Sequence, residues 1–360
     1  MLALSRFRLL AILLGIIALV ISQARGQESP RGSLQADLGR RIFFDARFSR
    51  DGRVACAHCH MPERAFSDGR PVSTGTDGRT GTRNAPSLVD VGEQTSFFWD
   101  GRRSTLEAQA LDPLVNPGEH GMADLAAVES VLNGDAAYVA AFSKAFGTHG
   151  RGGIRAHHAA SALAAFQRTL TDGESPFDRF LKGDREAIPV AARRGWLLFQ
   201  GTAQCTRCHV VEGPRPSFTD HGFHALGIGL KGIERRLPDL AARVSRMHAD
   251  GRLQDHSVLA DADIAALGRF VVTLSPADIG KFKTPSLRNV ALTAPYMHDG
   301  SVATLAEAVE LEIYYRSTED GRPLILTPSE KADLVAFLHA LTGWRPEEHP
   351  FARDGAVPKR

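Results

Sequence analysis

The sequence predicts a mainly α protein built from two related halves with long irregular loops. Three observations carry this expectation. Two C-x-x-C-H units, Cys56-Ala57-His58-Cys59-His60 and Cys205-Thr206-Arg207-Cys208-His209, each follow an amphipathic helical pattern. A wider set of residues recurs at a constant offset of 199 positions, as between Pro86 and Pro285. Strand signals are few and short, whereas helix starts recur along the chain.

At the N-terminus, Arg6 and Arg8 precede an apolar run from Leu9 to Ile21, followed by small and polar residues. Residues 1–26 therefore read as a secretory signal peptide cleaved after Ala24 or Gly26, with an uncleaved anchor as the alternative. The run is short for a membrane span, no second one follows, and the mature chain is expected to be soluble and periplasmic, with no membrane partner. Removing 1–26 takes Arg6, Arg8 and Arg25 and no acid from totals of 43 basic and 41 acidic residues, leaving 40 against 41. The slight basicity belongs to the export segment and gives no support for nucleic-acid binding. At 43% hydrophobic and 23% charged residues, the remainder is an ordinary globular chain.

Glycine-containing helical patterns lead into both units, Leu38-Gly39-Arg40-Arg41-Ile42-Phe43-Phe44 and Arg194-Gly195-Trp196-Leu197-Leu198-Phe199. Pro86-Ser87-Leu88 is followed by Asp100-Gly101 and Thr105-Leu106; Pro285-Ser286-Leu287 is followed at the same spacing by Asp299-Gly300 and Thr304-Leu305. A repeat this long implies two related domains, since solenoid periods are shorter. Ser104 with Glu107, and Thr304 with Glu307, fit capping boxes. Thr327, Pro328 and Glu330 start a last helix with an apolar face of Ala332, Leu334, Val335, Phe337, Leu338 and Leu341. The expected division is 27–180 and 181–360, with the join in the polar, Gly- and Pro-containing stretch Thr171–Ile188 and the last helix packing back on the first domain.

All four cysteines lie in the two units. With 4 Cys and 14 His in 360 residues, a cysteine opens such a unit by chance at roughly 4 in 10,000, so two accidents are remote. The spacing suits covalent haem: two thioethers hold the vinyl edge of a porphyrin, and the adjacent histidine lies under the iron. Zinc would find only three ligands per unit, a thioredoxin-like pair would need βαβ flanks, and a disulfide framework is the weaker reading. Cys56, Cys59, Cys205 and Cys208 are the expected attachment points, and His60 and His209 the proximal iron ligands. His58 is a spacer. Each half is then a cytochrome c-like domain with one c-type haem.

Together with these units, Phe97-Phe98-Trp99-Asp100-Gly101-Arg102 and Pro295-Tyr296-Met297-His298-Asp299-Gly300 resemble the bacterial di-haem cytochrome c peroxidases and their MauG-like relatives, over residues 34–345. The resemblance implies Trp99 between the haems, Gln109, Pro113 and Glu119 over a peroxidatic haem held by His60, and His298 in the Pro-Tyr-x-His segment. It also implies a calcium ion between the domains, on Asn84, Thr293 and Pro295. The chemistry of these roles is coherent. Glutamate can take and return a proton as the O–O bond of hydrogen peroxide breaks, and glutamine can orient the peroxide. A tryptophan offers a π system for electrons, a role compatible with that of a large core aromatic.

Two departures stand out. Family peroxidases often place a second histidine on the peroxidatic iron from a loop after the first unit; here that loop reads Ser73-Thr74-Gly75-Thr76-Asp77-Gly78, and no histidine occurs between Met61 and Glu119. The first haem is therefore expected to be five-coordinate or water-bound. For the second haem, the resemblance implies a methionine or a tyrosine as the sixth ligand. Counting without gaps reaches Glu312; a two-residue insertion reaches Tyr314, beside Tyr315, and Tyr314 is the expected ligand, with packing as the alternative role. The tryptophan that MauG uses before its second unit has no counterpart in Thr202-Ala203-Gln204, the nearest being Trp196.

The functional expectation is a periplasmic di-haem peroxidase taking electrons from a cytochrome c, a cupredoxin or a quinol pool through the haem held by His209. Peroxide-driven oxidation of a protein or small molecule is the second reading, and a non-catalytic electron carrier the third. The resemblance is compatible with a homodimer.

Overall fold

The computed structural model describes residues 30–251, 260–319 and 323–349; the expected export segment 1–26 lies outside them. The chain is mainly helical. In the first half, α1 (Pro30–Phe43) leads to a one-turn α2 (Cys56–Cys59), and then to α3 (Leu106–Val115), α4 (Leu125–Gly134), α5 (Ala136–Phe146) and α6 (Ala156–Arg168). Leu38, Ile42 and Phe43 recur at helical spacing on α1 and bury against Leu163 and Phe166 of α6. The two helices cross where α1 carries Gly39, since a Cβ there would stand 1.9 Å from the Ala162 carbonyl oxygen.

The second half repeats the device. It contains α7 (Pro176–Leu181), α8 (Val190–Gln200), α9 (Leu237–Ala249), α10 (Ala262–Ala266), α11 (Phe270–Thr273), α12 (Leu305–Glu319) and α13 (Pro328–His339). Here α8 crosses α13 at Gly195, where a Cβ would stand 1.9 Å from the Asp333 carbonyl oxygen. Phe177, Phe199, Phe218 and Phe337 fill the core around this crossing. A smaller core of Ile233, Leu240, Val244, Ile264, Leu267 and Phe270 forms in the segment leading to β2. The short antiparallel strands β1 (Phe223–Ala225) and β2 (Lys281–Lys283) pair Phe223 with Lys283 and His224 with Phe282.

The offset of 199 persists in the backbone. Phe97 bridges Arg103 as Tyr296 bridges Val302. Asp90 and Asn289, Phe98 and Met297, and Gly101 and Gly300 form left-handed pairs. Ser87 Oγ donates to the Ala65 carbonyl and Ser286 Oγ to the Ser217 carbonyl. The halves meet through reciprocal bonds at equivalent positions: Asn84 N donates to the His298 carbonyl and Lys283 N to the Trp99 carbonyl, each at 2.8 Å.

One expectation is corrected. The cap of α3 is Thr105, whose side chain accepts from Ala108 N, and not Ser104; the Thr304–Glu307 box on α12 is formed. The last helix, α13, packs its apolar face against α8 of its own half. The residue that crosses is Trp344, five positions beyond α13: it enters the first core against Phe66 and donates from Nε1 to the Pro62 carbonyl. Buried ions add to the connection. Arg288 pairs with Asp172 and Asp178 in the expected join region, and Arg215 pairs with Asp90.

Candidate active site

Each C-x-x-C-H unit folds into one tight turn, with His60 N bonded to the Cys56 carbonyl and His209 N to the Cys205 carbonyl. His60 Nδ1 donates to the Phe66 carbonyl and His209 Nδ1 to the Phe218 carbonyl, both at 2.8 Å. A carbonyl can only accept, so the proton sits on Nδ1 and Nε2 presents a lone pair. Burial keeps both rings neutral, lowering the His60 pKa and taking that of His209 to about 4. A neutral imidazole with an oriented Nε2 is what an iron requires. His58 Nδ1 instead accepts from Ala55 N, inside its own turn, as a spacer would.

A cavity of about 580 Å³ runs from His60 and Cys59 to His209, Cys205 and Cys208, lined mainly by apolar side chains. Arg83 lies in its wall, buried, with Nε and Nη1 lacking a hydrogen-bond partner among the described residues. Burial takes its pKa down to about 10. Lys283 also lines it, held by Gln94 Oε1 and the Ser96 carbonyl, its pKa lowered by burial to about 8. A buried arginine with spare donors and a partly buried lysine beside the same cavity call for anions, and haem propionates would supply them. The residues present thus fit two haems.

Of the residues expected at the first haem, Gln109, Pro113 and Glu119 line the same cavity as His60. Gln109 and Pro113 are one turn apart on α3, so they share a face. Glu119 follows α3 in a turn tied to the Ser73–Gly78 loop, where Thr76 N donates to the Glu119 carbonyl. Asn116 Nδ2 donates to Glu119 Oε1 at 2.7 Å. Burial raises the Glu119 pKa, against the lowering effects of the Arg102 charge and the Asn116 bond. Trp99 lines the cavity and donates from Nε1 to the Asn84 carbonyl at 2.9 Å. Asn84, Thr293 and Pro295 also border it. Cys56 is set back from it, its Sγ 3.8 Å from His120 Nε2.

Tyr314 does not reach the cavity. It lies on the outer face of α12 and is 61% exposed. α12 starts at Leu305, in register with α3 at Leu106, runs to Glu319 and carries Tyr314 on its exposed side. Glu312, from the ungapped count, lines the cavity. Sequence reasoning also missed Arg83, Lys283 and His120. His120 is buried, with Nδ1 on the Phe48 carbonyl and a pKa lowered by burial to about 4.

The family described as di-haem cytochrome c peroxidase matches residues 33–186. The cytochrome-c peroxidase IdrP1 of Denitromonas iodatirespirans is 37% identical over 336 residues, covering 89% of this chain and 85% of its own. The methylamine utilization protein MauG of Methylorubrum extorquens is 38% identical over 311 residues, covering 84% and 77%. The crystal structure of a MauG-like protein associated with microbial copper homeostasis superposes with a TM-score of 0.69 at 33% identity, over 91% of this chain and 93% of that one. Its two C-x-x-C-H turns share one cavity, and its relatives match it along most of its length: the chain belongs to the di-haem cytochrome c peroxidase family, oxidoreductases that act on peroxide.

Proposed function

We propose that this is an exported, periplasmic peroxidase that reduces hydrogen peroxide to two waters with two protons from solvent and two electrons from a small redox protein, a cytochrome c or a cupredoxin. Its haems are attached through Cys56 and Cys59, and through Cys205 and Cys208. The observation that carries the reading is the half-buried Glu119 beside Gln109 and Pro113 in the cavity bordered by His60. When bound, the first haem supplies an iron at which peroxide is held and reduced. The protein does the rest. Gln109 orients the peroxide by hydrogen bonding. Glu119, as carboxylate, takes the proton from the inner oxygen and returns it to the outer one as the O–O bond breaks. Asn116 fixes the carboxyl for both transfers. Pro113 has no side-chain donor to compete for the iron. Trp99, anchored on Asn84, stands in the cavity through which electrons from the His209 side pass. A calcium ion at Asn84, Thr293 and Pro295 would be held by oxygens, as calcium prefers.

Peroxide-driven oxidation of a partner protein, after the manner suggested by the likeness to MauG, is the second reading. It lacks a tryptophan immediately before the second unit: the nearest, Trp196, packs half-buried against Phe177 and Phe337. Stopped-flow mixing of the holoprotein with peroxide decides. Rapid turnover with reduced cytochrome c or cupredoxin is expected. A long-lived oxidised protein that consumes neither donor would favour the second reading, and no reaction with peroxide would leave an electron carrier.

A further inference from the structure

We propose that Glu312, which lines the cavity with His209, would supply an anionic oxygen ligand to the iron of a haem held by Cys205, Cys208 and His209. This rests on the reading of Cys205, Cys208 and His209 as a haem site. The argument comes from the duplication. The left-handed pairs at Asp90 and Asn289 and at Gly101 and Gly300, and the start of α3 at Leu106 and of α12 at Leu305, all keep the offset of 199. Carried along this register, Gln109 falls on Ala308 and Pro113 on Glu312. All four line the cavity. The position that carries a proline without a side-chain donor in the half of His60 therefore carries a carboxylate in the half of His209.

Helix geometry gives the same answer. Ala308, Glu312 and Arg316 recur every four residues and line the cavity together. Tyr314 is two residues from Glu312, about 200° around the helix, and points to solvent. Glu312 is near enough to Cys205 for its charge to act on that sulfur. A carboxylate is a hard anionic donor and stabilises ferric over ferrous iron relative to a thioether. The duplication thus yields one iron open to substrate and one closed by Glu312, with a lowered potential.

The test uses the full-length holoprotein, with two haems per chain first confirmed by mass and haemochrome absorbance. Electron paramagnetic resonance, optical spectra and a spectroelectrochemical titration are then compared for the native protein and for Glu312→Gln, Glu312→His and Tyr314→Phe. Glu312→Gln is expected to change the ferric signal of one haem and raise its potential. Glu312→His is expected to convert the same haem to a low-spin bis-histidine signal; it gains a ligand, so it stays readable if the glutamine variant folds poorly. Tyr314→Phe is expected to leave both haems unchanged. Unaltered spectra and potentials in both Glu312 variants at full haem content would overturn the assignment, as would loss of a phenolate-to-iron band in Tyr314→Phe. A mass showing fewer than two haems would instead overturn the haem reading itself.

Discussion

The proposed proton transfer by Glu119 would depend on a balance within one side chain. Burial pushes its pKa up, while the Arg102 charge and the Asn116 hydrogen bond hold it down. The folded pKa is raised, so the base form is lost as pH falls through a value above the usual carboxylate range. The acid limb of kcat/KM for peroxide should lie there. Asn116→Ala removes a bond to the charged form and should move that limb to higher pH, whereas Glu119→Gln should abolish it and slow peroxide reduction by about 10²–10⁴-fold. A profile with unchanged limbs in both variants would remove Glu119 from the proton path. These residues were legible only through the resemblance, because a lone glutamate in a loop gives no periodic signal. Tyr314 was preferred because the family offers a tyrosine as the sixth ligand and a two-residue insertion reaches one; the helix carries it on its exposed side.

Among the elements, the two glycine crossings place the turns that carry His60 and His209. Gly39 and Gly195 each meet the backbone oxygen of a later helix, so a methyl group can be accommodated only by spreading the pair. Gly195→Ala should cost about 1–3 kcal/mol, read as a lowered denaturant midpoint. The same variant should loosen the packing of Phe199 beside His209, seen as a change in the spectrum of the second haem. An unchanged midpoint would mean that α8 and α13 are free to shift apart. Both glycine-containing helices were readable from periodicity, since amphipathic spacing is a local property. Their partners, α6 and α13, were not identified as such, because which helix covers which face is decided over more than 100 residues of intervening chain. The core around Ile233, Leu240 and Val244 escaped notice for lack of any motif.

For the whole molecule, the buried Arg288 ties the second half to the join region through Asp172 and Asp178. Burial raises the Asp172 pKa to about 6, with the nearby Asp90 adding to the effect. Asp178 is also opposed by burial, but the bonds from Arg288 and Ser175 hold its pKa below the ordinary value. Arg288→Met would strand both carboxyls and should cost about 3–5 kcal/mol. The Asp178 contribution is present above the unfolded pKa and lost as pH falls through the depressed folded one. The deficit of the variant should therefore be largest near neutral pH and shrink in acid, as urea titrations at two pH values would show. Trp344→Ala should cost about 3–5 kcal/mol, because the ring sits in the first core and its Nε1 bond to Pro62 is buried. The two-domain plan was visible in the sequence through the offset of 199, but the crossing tryptophan was not, since nothing local marks a residue that leaves one core for another.

The reciprocal bonds between Asn84 and His298 and between Lys283 and Trp99 have a further consequence. They pair equivalent positions across the junction, so two identical copies of either half could meet through the same contacts. Backbone symmetry gives the assembly no preferred direction. Under the proposed function, direction would come from side chains at matched positions: tryptophan against histidine at 99 and 298, and proline against glutamate at 113 and 312. A few substitutions on a symmetric frame would then make charge flow one way, as in a rectifier built from two similar halves doped differently.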